Sequence, residues 1–284
     1  MFDSPLITAY ILVIAGLLGL VMGSFINCWA WRSLRGESVL HGRSHCATCN
    51  HELSARDLIP LVSWLVSHGR CRYCGQKISA RYPLSELACA AAYVGIVACY
   101  GLSFETLELL AFATILLFLS LTDLDAYLIP NGCIVAAIVV RALYLVGAWA
   151  LEGTNIIDML VFSLIGGAVL GGALLLITLL GDRVFKRPSM GGGDIKLFFV
   201  AGLYFGWQQG IFLVIVACII GIVAAVAFSR ALPEEETTDN GGESAGTSTL
   251  KRTIPFGPSI AAACVITMLA GPSFIAWYLS LLGL

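Results

Sequence analysis

The chain has 284 residues, of which 58% are hydrophobic and 12% charged, with a mean hydropathy of +0.90. A soluble domain carries about 25% charged residues, so this composition excludes one and indicates a polytopic membrane protein. The net charge of -2 points to no nucleic-acid partner, and the placement of the charges is more informative than their sum.

Apolar runs of roughly 20 residues are long enough to cross a bilayer as helices. Eight are predicted, at 6–30, 84–101, 106–122, 132–150, 157–181, 196–208, 210–229 and 254–283, the sixth being short and the last interrupted by Gly271-Pro272. Of the sixteen Lys and Arg, eight fall between Arg32 and Arg81, four between Arg183 and Lys196, and three at Arg230, Lys251 and Arg252. Only Arg141 lies inside a predicted span. Basic loops stay in the cytoplasm, so eight spans put both termini on the far, periplasmic side. The first span has its positive flank after it and none before it, which reads as a retained anchor and not a cleaved signal peptide.

After span 1–31 comes a cytoplasmic segment, 32–83, with all four histidines and four of the ten cysteines. Cys46-x-x-Cys49 and Cys71-x-x-Cys74 can each offer two thiolates to one ion, and together they complete a tetrahedral structural zinc site. His45, His51 and His68 are alternative ligands. A closed shell of four thiolates leaves no position for water, so zinc here is expected to hold a small fold and not to catalyse. The other cysteines, Cys28, Cys89, Cys99, Cys133, Cys218 and Cys264, are expected as small core residues.

The rest, 84–284, is expected to be a seven-helix membrane domain. Asp3, Glu105, Glu108, Glu152 and Asp158 fall at far-side span ends and read as solvated. Asp182, beside Arg183, reads as paired or solvated. Glu86 reads as a carboxylate at a helix start. Asp123 and Asp125 close the third span on the cytoplasmic side, and Asp194 opens the sixth after the run Gly191 to Gly193. These share one depth. Two carboxylates brought together at the lipid edge divide into one acid and one base, the equipment for activating water against an amide. A helix turns about 100° per residue, so Asp123 and Asp125 point roughly 200° apart and only one of them faces Asp194. Glycine permits close backbone approach and free bending, as an extended substrate strand requires. Lys196 reads as snorkelling to the surface. The acidic, Gly/Ser/Thr-rich segment 230–253 reads as a disordered cytoplasmic loop. "PFGPSI" at the start of the last span reads equally as cleft lining or as a Pro-stiffened helix start.

These residues resemble the type IV prepilin peptidases, bifunctional leader peptidases and N-methyltransferases of bacterial pilus and type II secretion systems. The resemblance rests on "GSFINCWAWR", the two C-x-x-C pairs, "ISARYPLSEL", "DLDAYLIPN", "GGGDIKL" and "PFGPSI". It implies an all-α polytopic protein of the bacterial cytoplasmic (inner) membrane, a GxGD-type aspartic endopeptidase. Asp123 and Asp194 then match the catalytic aspartates, with Asp194 read as the base and Asp123 as the proton-bearing partner. Asp125, Gly191, Gly193 and Lys196 are supporting residues. The implied substrates are prepilins and pseudopilins, whose basic leader is cut at the cytoplasmic face. S-adenosylmethionine is the implied methyl donor for the new N-terminal residue, usually phenylalanine. The chain has no Gly-rich nucleotide motif; Arg81, Tyr82 and Glu86 are the candidate donor-binding residues.

Overall fold

The computed structural model describes residues 4–39, 41–186, 190–231 and 255–281. Asp3 and nearly all of the 230–253 segment lie outside the described residues. Seven long helices carry the chain: α1 (Pro5–Ser33), α3 (Arg81–Tyr100), α4 (Phe104–Ala126), α5 (Asn131–Glu152), α6 (Ile156–Phe185), α7 (Gly192–Ala231) and α8 (Gly257–Leu281), with a one-turn helix α2 (Val62–Val66) between α1 and α3. All seven are long and apolar enough to cross a membrane. The protein is therefore an all-helical, multi-pass membrane protein.

Helix α7 resolves the count of spans. It runs 40 residues, roughly 60 Å at 1.5 Å per residue, twice the hydrocarbon thickness. Gly206 interrupts it at φ 68° and ψ -177°, a non-helical conformation that glycine adopts freely. The chain reverses there. A side-chain carbon on Gly171 would lie 2.7 Å from Phe199, one on Gly202 would lie 2.4 Å from the Gly166 carbonyl, and one on Gly210 would again meet Leu170, at 2.3 Å. The arms 192–205 and 207–231 are thus antiparallel, and the sixth and seventh predicted runs are the two arms of this one helix among the seven described that are long and apolar enough to cross a membrane. The first arm lies on α6 with backbones in contact, the arrangement that small residues permit where lipid removes most of the hydrophobic drive to pack.

The core is built from α4, α5, both arms of α7 and α8, around Phe112, Leu116, Leu197, Phe198, Leu213 and Ile260. Hydroxyl groups tie neighbouring helices across it: Tyr93 meets the Thr114 hydroxyl at 2.7 Å, Tyr100 donates to the Met268 carbonyl at 2.7 Å, and Tyr204 donates to the Ala137 carbonyl at 2.7 Å. Helix α1 packs on α3 and α4 at the periphery. Of the six cysteines expected in the core, Cys89, Cys133 and Cys264 are buried, Cys28 is half-buried, and Cys99 and Cys218 are exposed. The last two lie on outer helix surfaces, where a small apolar side chain costs nothing in lipid.

The prediction of a solvated Glu108 is overturned. Glu108 is 5% exposed and accepts two hydrogen bonds from Arg141 Nη1, at 3.1 and 3.2 Å, while the same guanidinium donates to the Ser163 hydroxyl at 3.0 Å. Arg141, the one cation inside a predicted span, is thereby neutralised, and α4, α5 and α6 are joined. Glu105, Glu152 and Asp158 are exposed, as expected of helix ends.

Candidate active site

The segment between α1 and α3 folds around its two C-x-x-C pairs. In each, the fourth residue after the first cysteine donates its amide to that cysteine's carbonyl, Asn50 to Cys46 and Gly75 to Cys71, both at 2.9 Å. Both residues have positive φ, 55° and 73°. The two turns therefore repeat one geometry, which bends each pair so that its sulfurs converge. The four Sγ atoms of Cys46, Cys49, Cys71 and Cys74 all lie within 4.8 Å of one another, and Cys46 and Cys74 are 3.9 Å apart. Tetrahedral zinc with Zn–S bonds of about 2.3 Å requires sulfurs about 3.8 Å apart, so the cluster fits that ion. Amide hydrogen bonds from Cys49 and Thr48 lower the Cys46 thiol to about 6, which favours the thiolate a metal needs. The histidines are used otherwise: His51 packs on Tyr73 at 3.6 Å and His45 on Trp31 at 5.6 Å.

This module is anchored to the membrane helices through side chains. Arg32, at the end of α1, is buried and donates to the carbonyls of Ser38, Val39, His41, Gly42 and Arg43. Glu86 in α3 is buried and accepts from the Leu61 amide at 2.7 Å, fixing a residue with φ 60°. Asp57 accepts from Ser54, at 2.6 Å, and from Tyr73, at 2.9 Å, and pairs with Arg72 at 3.3 Å. The Ser54 hydroxyl above all, then Tyr73 and Arg72, hold its carboxyl below the usual range.

Between the module and α1 and α3 lies a cavity of about 320 Å³, lined by Trp31, Trp64, Tyr82 and Glu86 among others. It carries basic groups at Arg32, Arg70, Arg72 and Lys77, and in its wall the buried Asp57 Oδ1 faces Arg72 Nε at 3.3 Å. Tyr82 and Glu86 thus share this cavity. Arg81 does not. It borders a second cavity of about 600 Å³ with Asn27, Leu34, Arg35, Leu121 and Asp125. There it forms an ion pair with Asp125 and donates to the Leu121 carbonyl at 2.9 Å. Asp125 accordingly faces α3 and is bound to a cation.

Asp123 points the other way, as helical geometry requires. It is 6% exposed, and its Oδ2 accepts from the Gly257 amide at 2.9 Å, at the first residue of α8. A methyl group on Gly257 would lie 2.6 Å from that oxygen. The segment "PFGPSI" therefore lines the site. Asp194 sits half-buried in the first turn of α7, its amide donating to the Gly191 carbonyl at 3.1 Å. The glycine run acts by its size. A side-chain carbon on Gly193 would press on Ile129 at 3.0 Å and one on Gly191 would lie 3.1 Å from Asp194 Oδ2, whereas Gly192 borders open space. None of the three has positive φ, so the free bending expected of them is not used. Lys196 donates to Asn131 Oδ1 at 2.9 Å, linking α7 to α5. The signal in the sequence for the contact of Gly257 with Asp123 is a glycine flanked closely by Pro255 and Pro258 at the start of an apolar run.

Residues 17–100 match the Bacterial Peptidase A24 N-terminal domain, and residues 110–226 match the Type IV leader peptidase family. The prepilin leader peptidase/N-methyltransferase of Pseudomonas putida is 32% identical over 300 residues, covering 97% of this chain and 96% of that protein. The protein of the same name from Myxococcus xanthus is 31% identical over 243 residues, 84% of this chain and 69% of its own length. That of Bacillus subtilis is 28% identical over 269 residues, with 93% and 96% covered. No solved structure matches the chain.

Proposed function

Because the chain belongs to the type IV leader peptidase family, we propose that it cleaves the leader of type IV prepilins or type II secretion pseudopilins and then N-methylates the new N-terminal residue. What supports the peptidase half is Asp123, buried near the end of α4 with its Oδ2 on the Gly257 amide, and Asp194 in the first turn of α7, next to Gly193, which packs on Ile129 just beyond α4. One carboxylate takes a proton from the attacking water while the other donates one to the scissile amide. A coupled pair moves protons as a unit, and the base is assigned to Asp194, which is the more open of the two. Gly191, Gly193 and Lys196 support the site by close packing and by the tie to Asn131. Asp125 supports it from the opposite face of α4 through Arg81.

The excess of Lys and Arg in the segments at this end supports putting it and the cysteine module on the cytoplasmic face of a bacterial inner membrane. There the leader stays in water and the apolar stem of the substrate lies in lipid. Exposed leucines, isoleucines and valines along α1 and α6 support the lipid contact. The divisions 1–31, 32–83 and 84–284 then separate anchor, zinc module and peptidase domain.

Zinc on the four cysteines closes the module's fold and takes no part in the chemistry. S-adenosylmethionine, when bound, supplies an electrophilic methyl group on sulfonium. The cavity of about 320 Å³ fits it: Trp31, Trp64 and Tyr82 offer ring faces to adenine and to a cation. Glu86, already committed to the Leu61 amide, shapes that wall. Arg81, expected beside Tyr82 and Glu86, borders the second cavity instead.

Each of Asp123→Asn and Asp194→Asn is expected to lower leader release about 10²–10⁴-fold on a prepilin peptide, the range by which a general acid or base accelerates such a step. Asp125→Asn should be milder. Substantial cleavage by either dyad variant, inserted and loaded with zinc, would overturn the assignment.

A further inference from the structure

We propose that the second cavity receives the new N-terminal residue of the cut substrate, with Asn27 as the group that accepts a hydrogen bond from its amine. The proposal rests on the reading of the first cavity as the donor site. Asn27, Trp31, Ser79 and Tyr82 line both cavities, so the two spaces share one wall. An amine on one side of that wall has the shortest available approach to a sulfonium on the other.

Asn27 is 7% exposed. Its Nδ2 donates to the Gly23 carbonyl at 3.0 Å and to the Ser85 hydroxyl at 2.7 Å, which fixes the amide plane. Its Oδ1 accepts no hydrogen bond among the described residues. That oxygen is not sealed off with the rest of the side chain, and Asn27 lines the cavity, so it is free to accept from a donor that enters there.

The remaining lining matches an apolar residue with a free amine. Ala30, Leu34 and Leu121 supply aliphatic surface, and Trp31 and Tyr82 supply aromatic surface. The charged and titratable groups that face the space are Arg35 beyond α1, Arg81 and Tyr82 from α3 and Asp125 from α4, with Glu86 behind the shared wall. Arg81 and Asp125 neutralise each other, and Glu86 is bound to the Leu61 amide. Arg35 stacks on Trp31 at 3.8 Å and leaves the space with excess positive charge. Only the neutral amine is nucleophilic. A free α-amine has a pKa of about 7.7–8.0, and a neighbouring cation lowers it. Asn27 can take one N–H without stabilising the ammonium as a carboxylate would.

In the transfer itself, the amine lone pair forms the N–CH₃ bond as the S–CH₃ bond breaks. The donor's sulfonium leaves as a neutral thioether, and the positive charge passes to nitrogen, which releases a proton to water.

Three measurements on the full-length protein in nanodiscs test this. The first is anisotropy of a fluorescent peptide beginning with a free phenylalanine amine, bound to wild type and to Leu34→Trp, which fills the second cavity alone. Binding should weaken at least ~10-fold, with a matching rise in KM for methylation; wild-type affinity overturns the acceptor site. The second is the pH profile of methylation for Asn27→Asp. The added carboxylate favours the ammonium, so the profile should move about one unit upward, with a ~10-fold loss at neutral pH recovered in alkali. An unmoved profile overturns the role of Asn27. The third is equilibrium dialysis of labelled S-adenosylmethionine with Ser67→Trp, which intrudes on the first cavity alone. Retained donor binding overturns the donor-site reading, whatever the peptide results.

Discussion

At Asp123 the margin for change is set by one hydrogen atom. Gly257 approaches so closely that its amide reaches the carboxylate and a methyl group in its place would lie 2.6 Å from Oδ2. Gly257→Ala is therefore expected to displace Asp123 and to lower leader release at least ~100-fold, because small displacements of a reacting group are that costly. Gly192→Ala, where the added carbon meets open space, should leave cleavage within a few-fold of wild type. Parallel cleavage assays on the two variants check both expectations. Glu108 and Arg141 pose a different problem, a charge pair sealed among α4, α5 and α6. Arg141→Met leaves a buried carboxylate without its cation and should cost about 3–5 kcal/mol in denaturant unfolding. Combining it with Glu108→Leu should recover much of that loss, since the desolvation cost disappears with both charges.

Among the elements, α7 carries the most constraint. Its first arm begins with Asp194 and its reversal falls at Gly206, where a side-chain carbon would lie 2.2 Å from the Phe162 ring. Gly206→Ala combines this clash with an unfavourable positive φ. It should lower thermal stability and reduce cleavage together, because the arm that ends there is the one that positions the aspartate. Recovery of stability by the double variant Gly206→Ala/Phe162→Ala, followed by thermal denaturation, would separate the clash from the backbone strain.

For the whole molecule, α4 is a partition. Asp123 lies on the face toward α8, and Leu121 and Asp125 on the face toward α3 and the second cavity. Proteolysis and methyl transfer on opposite faces predict separable losses. Asp194→Asn should still methylate a peptide supplied with its mature N-terminus, measured as methyl incorporation. Stripping zinc with a chelator should do the converse. The module has few apolar contacts of its own and folds around its metal, so limited proteolysis within 41–80 should accelerate, and methylation should fall more than leader release.

The sequence by itself determined the class of the protein, its long apolar helices and the four cysteines whose sulfurs converge. Hydrophobic length reads directly as spans in lipid, and paired C-x-x-C spacing brings thiolates together through local turns alone. It also brought Asp123 and Asp194 to one depth, because span ends mark the interface. What only the tertiary structure decided were the choices that depend on which helix faces which. Arg141 found Glu108, 33 residues away, and Asp125 was turned to Arg81, 44 residues away. The Gly257 amide reached Asp123 across 134 residues. Periodicity gives the direction of a side chain around its own helix but not the neighbour it meets, and Arg141, Asp123 and Asp125 are each defined by that neighbour.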